Sequence, residues 1–220
     1  MKKSKLNIPF LTFAMSMALF AFACGSAVKE PPSKSLKQKI EEGLDKEQEI
    51  RKRVIDNMKR DTFDAALNQE MEELDSINLV NVKAFLKENG YPSISKHGKK
   101  LARGVFFILQ HGDTKTMEQY VDQLKERAFE GEASKKHYAM MRDRIMTEYN
   151  LPQIYGTQVM PRKDANGFVT NEYYVWPIEN VAMVDSLRKE MGFDRTVAAY
   201  AKDLDAVFDP AETLPSSTKE

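Results

Sequence analysis

Three polar clusters in this chain hold side chains that could do chemistry. Gln110-His111-Gly112-Asp113 follows an apolar run. An imidazole titrates near neutral pH, so His111 could act as acid or base. The same residues also suit a structural role. A histidine at a helix C-terminus complements the dipole, and Asp113 can cap the next helix. The second cluster is Asp143-Arg144. Adjacent helical residues point about 100° apart, so one of the two is expected to face inward, where a buried charge needs a partner. An interhelix ion pair is the structural expectation and a catalytic pair the alternative. The third cluster is Gln153-Ile154-Tyr155-Gly156-Thr157-Gln158. Its amides and hydroxyls each donate and accept, which suits neutral polar ligands such as sugars and peptides. In a regular strand Gln153, Tyr155 and Thr157 face one way, and Gln158 the other unless Gly156 forms a bulge. A polar strand end that satisfies loop backbone is the alternative. Gln153, Tyr155, Thr157, Gln158 and His111 are the candidate ligand-binding residues. His111, Asp143 and Arg144 are the candidate catalytic ones. Asn89-Gly90-Tyr91-Pro92 reads as a turn, with Tyr91 packed as a lid on the core.

Cys24 is the only cysteine. It follows a basic start (Lys2, Lys3, Lys5) and a largely apolar run from Ile8 to Ala23. That run is short for a transmembrane helix, which needs about 20 apolar residues, and it suits a signal peptide. The small residues of Ala21-Phe22-Ala23-Cys24-Gly25-Ser26 resemble a bacterial lipobox, in which the thiol is acylated and the chain is cut before it. The expected layout is a signal peptide at 1–23 and a lipidated cysteine with a flexible tether at 24–38. A single domain follows at 39–208, then a polar tail at 209–220. Ordinary Ala-x-Ala cleavage is the alternative. The expected location is the cell envelope, with attachment to the membrane through lipid on Cys24.

The 220 residues carry 33 basic and 33 acidic side chains, and 42% are apolar. That apolar share is too high for a disordered chain, and the length suits one domain with a real core. Zero net charge argues against a dedicated nucleic-acid binder. Loss of residues 1–23 removes three lysines and no acid, leaving a net charge of −3. Three histidines leave little for a metal centre, and His111 with Asp113 lacks the further ligands that real sites use. No metal and no cofactor is expected.

The elements that must position these residues are mostly helices. Leu36, Ile40, Leu44, Ile50, Val54 and Met58 recur at helical spacing, with a slip near Glu47. A second helix is expected over about 62–74. A third, capped by Asp75 or Ser76, is expected to stop at Asn89-Gly90. Ser95 opens a fourth through Leu109, nearly apolar all round and so expected to be central. A fifth starts at Asp113 or Thr114, and a sixth at Ser134. The segments 154–161 and 168–176 are rich in β-branched and aromatic residues. Asn166-Gly167 between them signals a hairpin, which should lie on the helices through Tyr155, Tyr173, Tyr174 and Trp176. Two more helices are expected, over about 178–191 and 195–208. The fold class is mainly α: a compact multi-helix domain with one β-hairpin inserted late, near 154–176.

The motif order carries a resemblance. Tyr91-Pro92, Gln110-His111-x-Asp113, Asp143-Arg144, Gln153-x-Tyr155-Gly156-Thr157-Gln158, Leu187-Arg188-x3-Gly192 and Tyr200 together resemble the bacterial domain-of-unknown-function family 6624, over about residues 45–205. Tyr91 stands where that family commonly has tryptophan. The resemblance implies a predominantly helical fold and assigns no reaction. It further implies that His111, Asp143, Arg144, Tyr155 and Gln158 converge on one cleft.

Three functional readings are open. The first is an envelope ligand-binding or protein-interaction module, taking a glycan, peptide or other partner. The second is an envelope-acting hydrolase or lyase with His111 as acid or base, oriented by Asp143 or Asp113. The third is a structural helical scaffold. The chain has no Gly-x-Ser-x-Gly, no His-Glu-x-x-His and no phosphate-binding glycine loop.

Overall fold

The computed structural model describes residues 34–60, 62–164 and 166–215. The expected signal peptide, Cys24 and most of the tether lie outside the described residues, as does the tail from Ser216. Among the described residues no helix is long and apolar enough to cross a membrane.

Helix α1 spans Leu36–Lys59 and buries Ile40, Leu44 and Ile50 along one stripe. Helix α2 spans Ala65–Asn89 and is capped by Asp64, whose carboxylate accepts from Leu67 N at 3.0 Å. The two helices expected over this region are therefore one. Asp75 does not cap: it pairs with Arg51 of α1. Ser76 Oγ donates to the Glu72 carbonyl within the helix, so nothing interrupts the ladder. Helices α1 and α2 pack together, and they approach closely where Asn78 Nδ2 donates to the Gly43 carbonyl at 3.3 Å.

The expected fourth helix is split. Helix α3 (Ile94–His97) ends at Gly98, whose φ of +91° no helix accommodates, and α4 runs Lys99–Leu109. Helix α4 is buried along most of its length and packs on α1 and α2, the central place expected of it. Helices α5 (Thr114–Phe129) and α6 (Lys135–Glu148) are capped by Asp113 and Ser134 and pack on each other.

Strands β1 (Val159–Lys163) and β2 (Val169–Val175) form the antiparallel hairpin, with Val159 opposite Val175. Its first strand starts later than expected, because residues 153–158 form an irregular loop. The chain then makes helix α7 (Val184–Glu190), shorter than expected. Ile178 forms a parallel bridge with Gln153, and Glu179 N is held to the Gln153 carbonyl at 2.9 Å, so the chain is tied to that loop before the helix begins. Helix α8 (Val197–Asp203) stops where Asp205 adopts a φ of +51°. Strand β3 (Ala206–Val207) then adds to β2 in parallel, making a three-stranded sheet in the order β1-β2-β3.

One apolar core joins α1, α2, α4, α5 and α6 with Tyr91, Tyr155 and Met191. A smaller one, of Val175, Val184, Val197 and Ala201, lies under the sheet. Tyr155, Tyr174 and Trp176 are buried as expected, but Tyr173 is 37% exposed because it lies on the opposite face of β2 from Tyr174. The Trp176 indole donates to the Leu151 carbonyl at 2.9 Å. Tyr91 is part of the core rather than a lid over it, and its buried hydroxyl has no hydrogen-bond partner among the described residues.

Candidate functional site

Asp143 and Arg144 are neighbours on α6 and serve different places. The Asp143 side chain is 0% exposed. No ion pair holds it among the described residues, contrary to the expectation. Instead the loop after α6 wraps it. Ile154 N donates to Oδ1 at 2.8 Å, Tyr155 N at 3.0 Å, and Thr157 N and Thr157 Oγ1 to Oδ2 at 3.0 and 2.9 Å. Burial pushes the carboxyl upward, while the N–H groups of Tyr155, Ile154 and Thr157 pull it down. Every partner is a donor, the arrangement a carboxylate needs. Gly156 makes the tight bend possible with a φ of +62°.

The remaining polar residues of this loop are engaged internally. Gln153 is wholly buried; its Nε2 donates to the carbonyls of Gln158 (3.0 Å) and Trp176 (2.7 Å), and its Oε1 accepts from Gln158 N at 2.8 Å. Gln158 Nε2 donates to Thr157 Oγ1 at 3.1 Å and to the Met140 carbonyl at 3.4 Å. The ligand contacts expected of these two glutamines therefore have no free amide N–H to draw on. Thr157 is likewise engaged by Asp143. The Tyr155 ring meets Tyr138 edge-on at 6.4 Å, and burial pushes its hydroxyl up to about 12. Arg188, almost wholly buried, donates to the carbonyls of Tyr155 (2.8 Å), Gly156 (3.2 Å) and Arg195 (2.9 Å). Its guanidinium lies over the rings of Phe193 and Tyr200, and Tyr200 OH donates to the Thr157 carbonyl. Most of the motif order is thus one buried hydrogen-bond network that fixes the sheet to α6.

His111 and Arg144 do come together. They line a pocket of about 390 Å³ with Gln110, Asp113, Met117 and Glu148. Arg144 is partly buried and makes no side-chain hydrogen bond and no ion pair among the described residues. Burial draws its pKa down, Glu148 pushes it up, and Arg51 draws it down. His111 is pushed down to about 3, first by burial and then by Arg51 and Arg144, so its ring is neutral at neutral pH. Asp113 caps α5, accepting from Thr116 N at 2.8 Å and Thr116 Oγ1 at 2.7 Å. Those bonds and Lys83 hold its carboxyl down at about 2. Asp113 is therefore placed to hold a helix rather than to orient His111. Asp143 with the loop residues Tyr155 and Gln158 that surround it does not line this pocket, so the single cleft implied by the motif order is two places.

One acid at this site was not singled out from the sequence. Glu47 of α1 is 0% exposed, and its Oε1 lies 3.4 Å from His111 Nε2. It also pairs with Arg51 and accepts from Gln48 Nε2 at 2.7 Å. Arg51 in turn clamps both oxygens of Asp75, at 2.9 and 2.7 Å. The signal was present: Glu47 stands three residues after Leu44, where the apolar stripe calls for a hydrophobic residue. No group of three or more His, Cys, Asp or Glu is placed to hold a metal ion among the described residues.

The structure is thus a mainly helical domain with a small late sheet, carrying a polar pocket around a neutral imidazole and a guanidinium that makes no ion pair among the described residues. A family model described as a family of unknown function, DUF6624, matches residues 34–209, most of the chain, and the chain belongs to that family. No curated protein and no solved structure matches it.

Proposed function

We propose that this is an exported, lipid-anchored protein of the bacterial cell envelope whose domain is a ligand-binding module. Its ligand is a small polar molecule with an anionic group, held at the pocket of Arg144 and His111. The observation that carries the reading is Arg144: a guanidinium partly withdrawn from water, opening on a pocket, with no carboxylate within 4.0 Å of it among the described residues. Withdrawing a charge from water is unfavourable unless a partner compensates it, and guanidinium is well shaped to grip a carboxylate or phosphate by two bonds. His111 offers a neutral ring nitrogen beside it. Cys24 and the apolar run before it support the envelope location.

The test is thermal shift of the full chain in detergent against small carboxylates, phosphates, peptides and oligosaccharides. A ligand at 100 times its Kd adds about 2.7 kcal/mol of stability. The expected outcome is an anion-dependent shift that Arg144→Gln abolishes while the unliganded Tm holds. Equal shifts in the wild type and the variant would sink the reading. Labelling with a fatty-acid analogue tests the anchor; label retained by Cys24→Ser would refute it.

The pairing of Glu47 with His111 favours a second reading, an envelope hydrolase or lyase. A buried carboxylate beside an imidazole can fix its tautomer and leave the other nitrogen to move a proton. In this reading Glu47, rather than Asp143 or Asp113, orients the base. Turnover by the wild type that survived in Glu47→Gln and His111→Ala would end it.

A further inference from the structure

The charges around the pocket narrow the ligand, on the footing that Arg144 anchors an anionic group as proposed above. Arg144 and Glu148 are four residues apart on α6, so both stand on one face, one turn from each other. Both line the pocket, yet they do not pair within 4.0 Å, although other pairs at this spacing, such as Arg51 with Glu47, do. Glu148 has no side-chain partner among the described residues. Asp113 adds a second carboxylate to the lining, partly balanced by Lys83 at 3.3 Å. One guanidinium and two carboxylates therefore share the lining with a neutral imidazole.

A doubly charged phosphate fits this set poorly. It gains one cation and meets two acids, and like charges in a partly enclosed site repel more strongly than in water. A lone carboxylate would use Arg144 alone and meet Glu148 and Asp113 as like charges. A molecule with a carboxylate at one end and an ammonium close by answers both charges at once. We propose that the pocket binds a small zwitterion of the amino-acid class, a free amino acid or a short peptide with free ends. Its carboxylate lies on Arg144 and its ammonium on Glu148. The Gln110 amide and the His111 ring supply neutral polar contacts beside it. A volume of about 390 Å³ admits such a ligand.

The experiment is calorimetric titration of the full chain in detergent. The probes are alanine and alanylalanine, their N-acetyl and C-terminal amide forms, acetate and inorganic phosphate. A charge-assisted hydrogen bond is worth about 1.5–3 kcal/mol, so each blocked form should bind roughly 10- to 100-fold more weakly. Glu148→Gln, an exposed change that cannot disturb the core, should erase the preference for the free amine. It should not weaken binding of the N-acetyl form, and loss of the like charge should tighten it. Arg144→Gln should remove the preference for the free carboxylate, with Arg144→Lys restoring part of it. Binding of acetate, phosphate or the N-acetyl form as tight as the zwitterion, and dependent on Arg144, would overturn the zwitterion and leave the anion pocket standing. Binding of no probe in an Arg144-dependent way would overturn both.

Discussion

At the scale of the residue, Asp143 is the clearest case of charge used as architecture. Three backbone N–H groups and one hydroxyl converge on its carboxylate inside the protein. Removal of the carboxylate leaves those donors buried and unanswered, each costing about 1–3 kcal/mol. Asp143→Ala should therefore destabilise the domain by about 3 kcal/mol or more, read as a lower midpoint in urea. Asp143→Asn, which keeps one acceptor oxygen, should lie between. A midpoint within error of wild type for Asp143→Ala would show that the loop does not depend on it. Both residues of the Asp143-Arg144 pair were legible as unusual, because charges on an otherwise packed helix have to be explained. Which one faced inward was not legible, since a 100° step between neighbours leaves the choice to tertiary packing. The glutamines of the 153–158 loop show the same limit. An amide that grips a ligand and one that grips its own backbone have the same residue type and spacing. Glu47 was visible as a slip in a periodic stripe, but its relation to His111 depends on how α1 lies against α4.

At the scale of the element, the contact of α1 with α2 turns on a glycine. A Cβ placed on Gly43 would stand 2.2 Å from Asn78 Oδ1 and 2.9 Å from Asn78 Cγ. Asn78 is itself buried and donates to the Gly43 carbonyl. In a helix interior, glycine to alanine ordinarily gains about 1 kcal/mol. Here the clash and the displaced Asn78 amide oppose that gain, and overpacking costs about 1–3 kcal/mol. Gly43→Ala should thus be neutral to destabilising, and Gly43→Ala with Asn78→Ala should recover the helix-propensity gain. A clear stabilisation by Gly43→Ala alone would contradict the close approach. Most helices were legible because their apolar spacing and caps agree: Asp113 and Ser134 cap α5 and α6 as their positions foretell. The failures share one cause. The join of α2 across Asp75, the late start of α7 at Val184 and the early stop of α8 at Asp203 are decided by distant partners. Those partners are Arg51, Gln153 and β2, and local spacing contains none of them. Strand β3, two residues long, carries no periodic signal at all.

At the scale of the whole molecule, all three histidines are pushed below their ordinary value. Burial is the first cause in each. His111 falls to about 3, His137 to about 4 with Arg103 adding to burial, and His97 falls by burial and Lys96. A folded pKa below the unfolded one means that the unfolded chain binds more protons between the two values. The histidine contribution to stability is therefore complete above about pH 6.5 and is lost progressively as pH falls from there toward 4 and 3. The carboxyls of Asp113 and Glu132 are also held down, by hydrogen bonds from Thr116 and Ser95, and lose their contribution on acidification, so a fall in Tm would not by itself single out the histidines. His137→Phe does so. The His137 ring stacks on Phe106 with centroids 4.0 Å apart and planes 4° from parallel, a contact that a phenyl ring keeps. The variant should match wild type near pH 7 and lose less stability between pH 6.5 and 4. Each kcal/mol moves Tm by about 2–4 °C at this size, so calorimetry can resolve the divergence. Parallel Tm curves for the two proteins across that range would show that the His137 proton is not among those that unfold the domain.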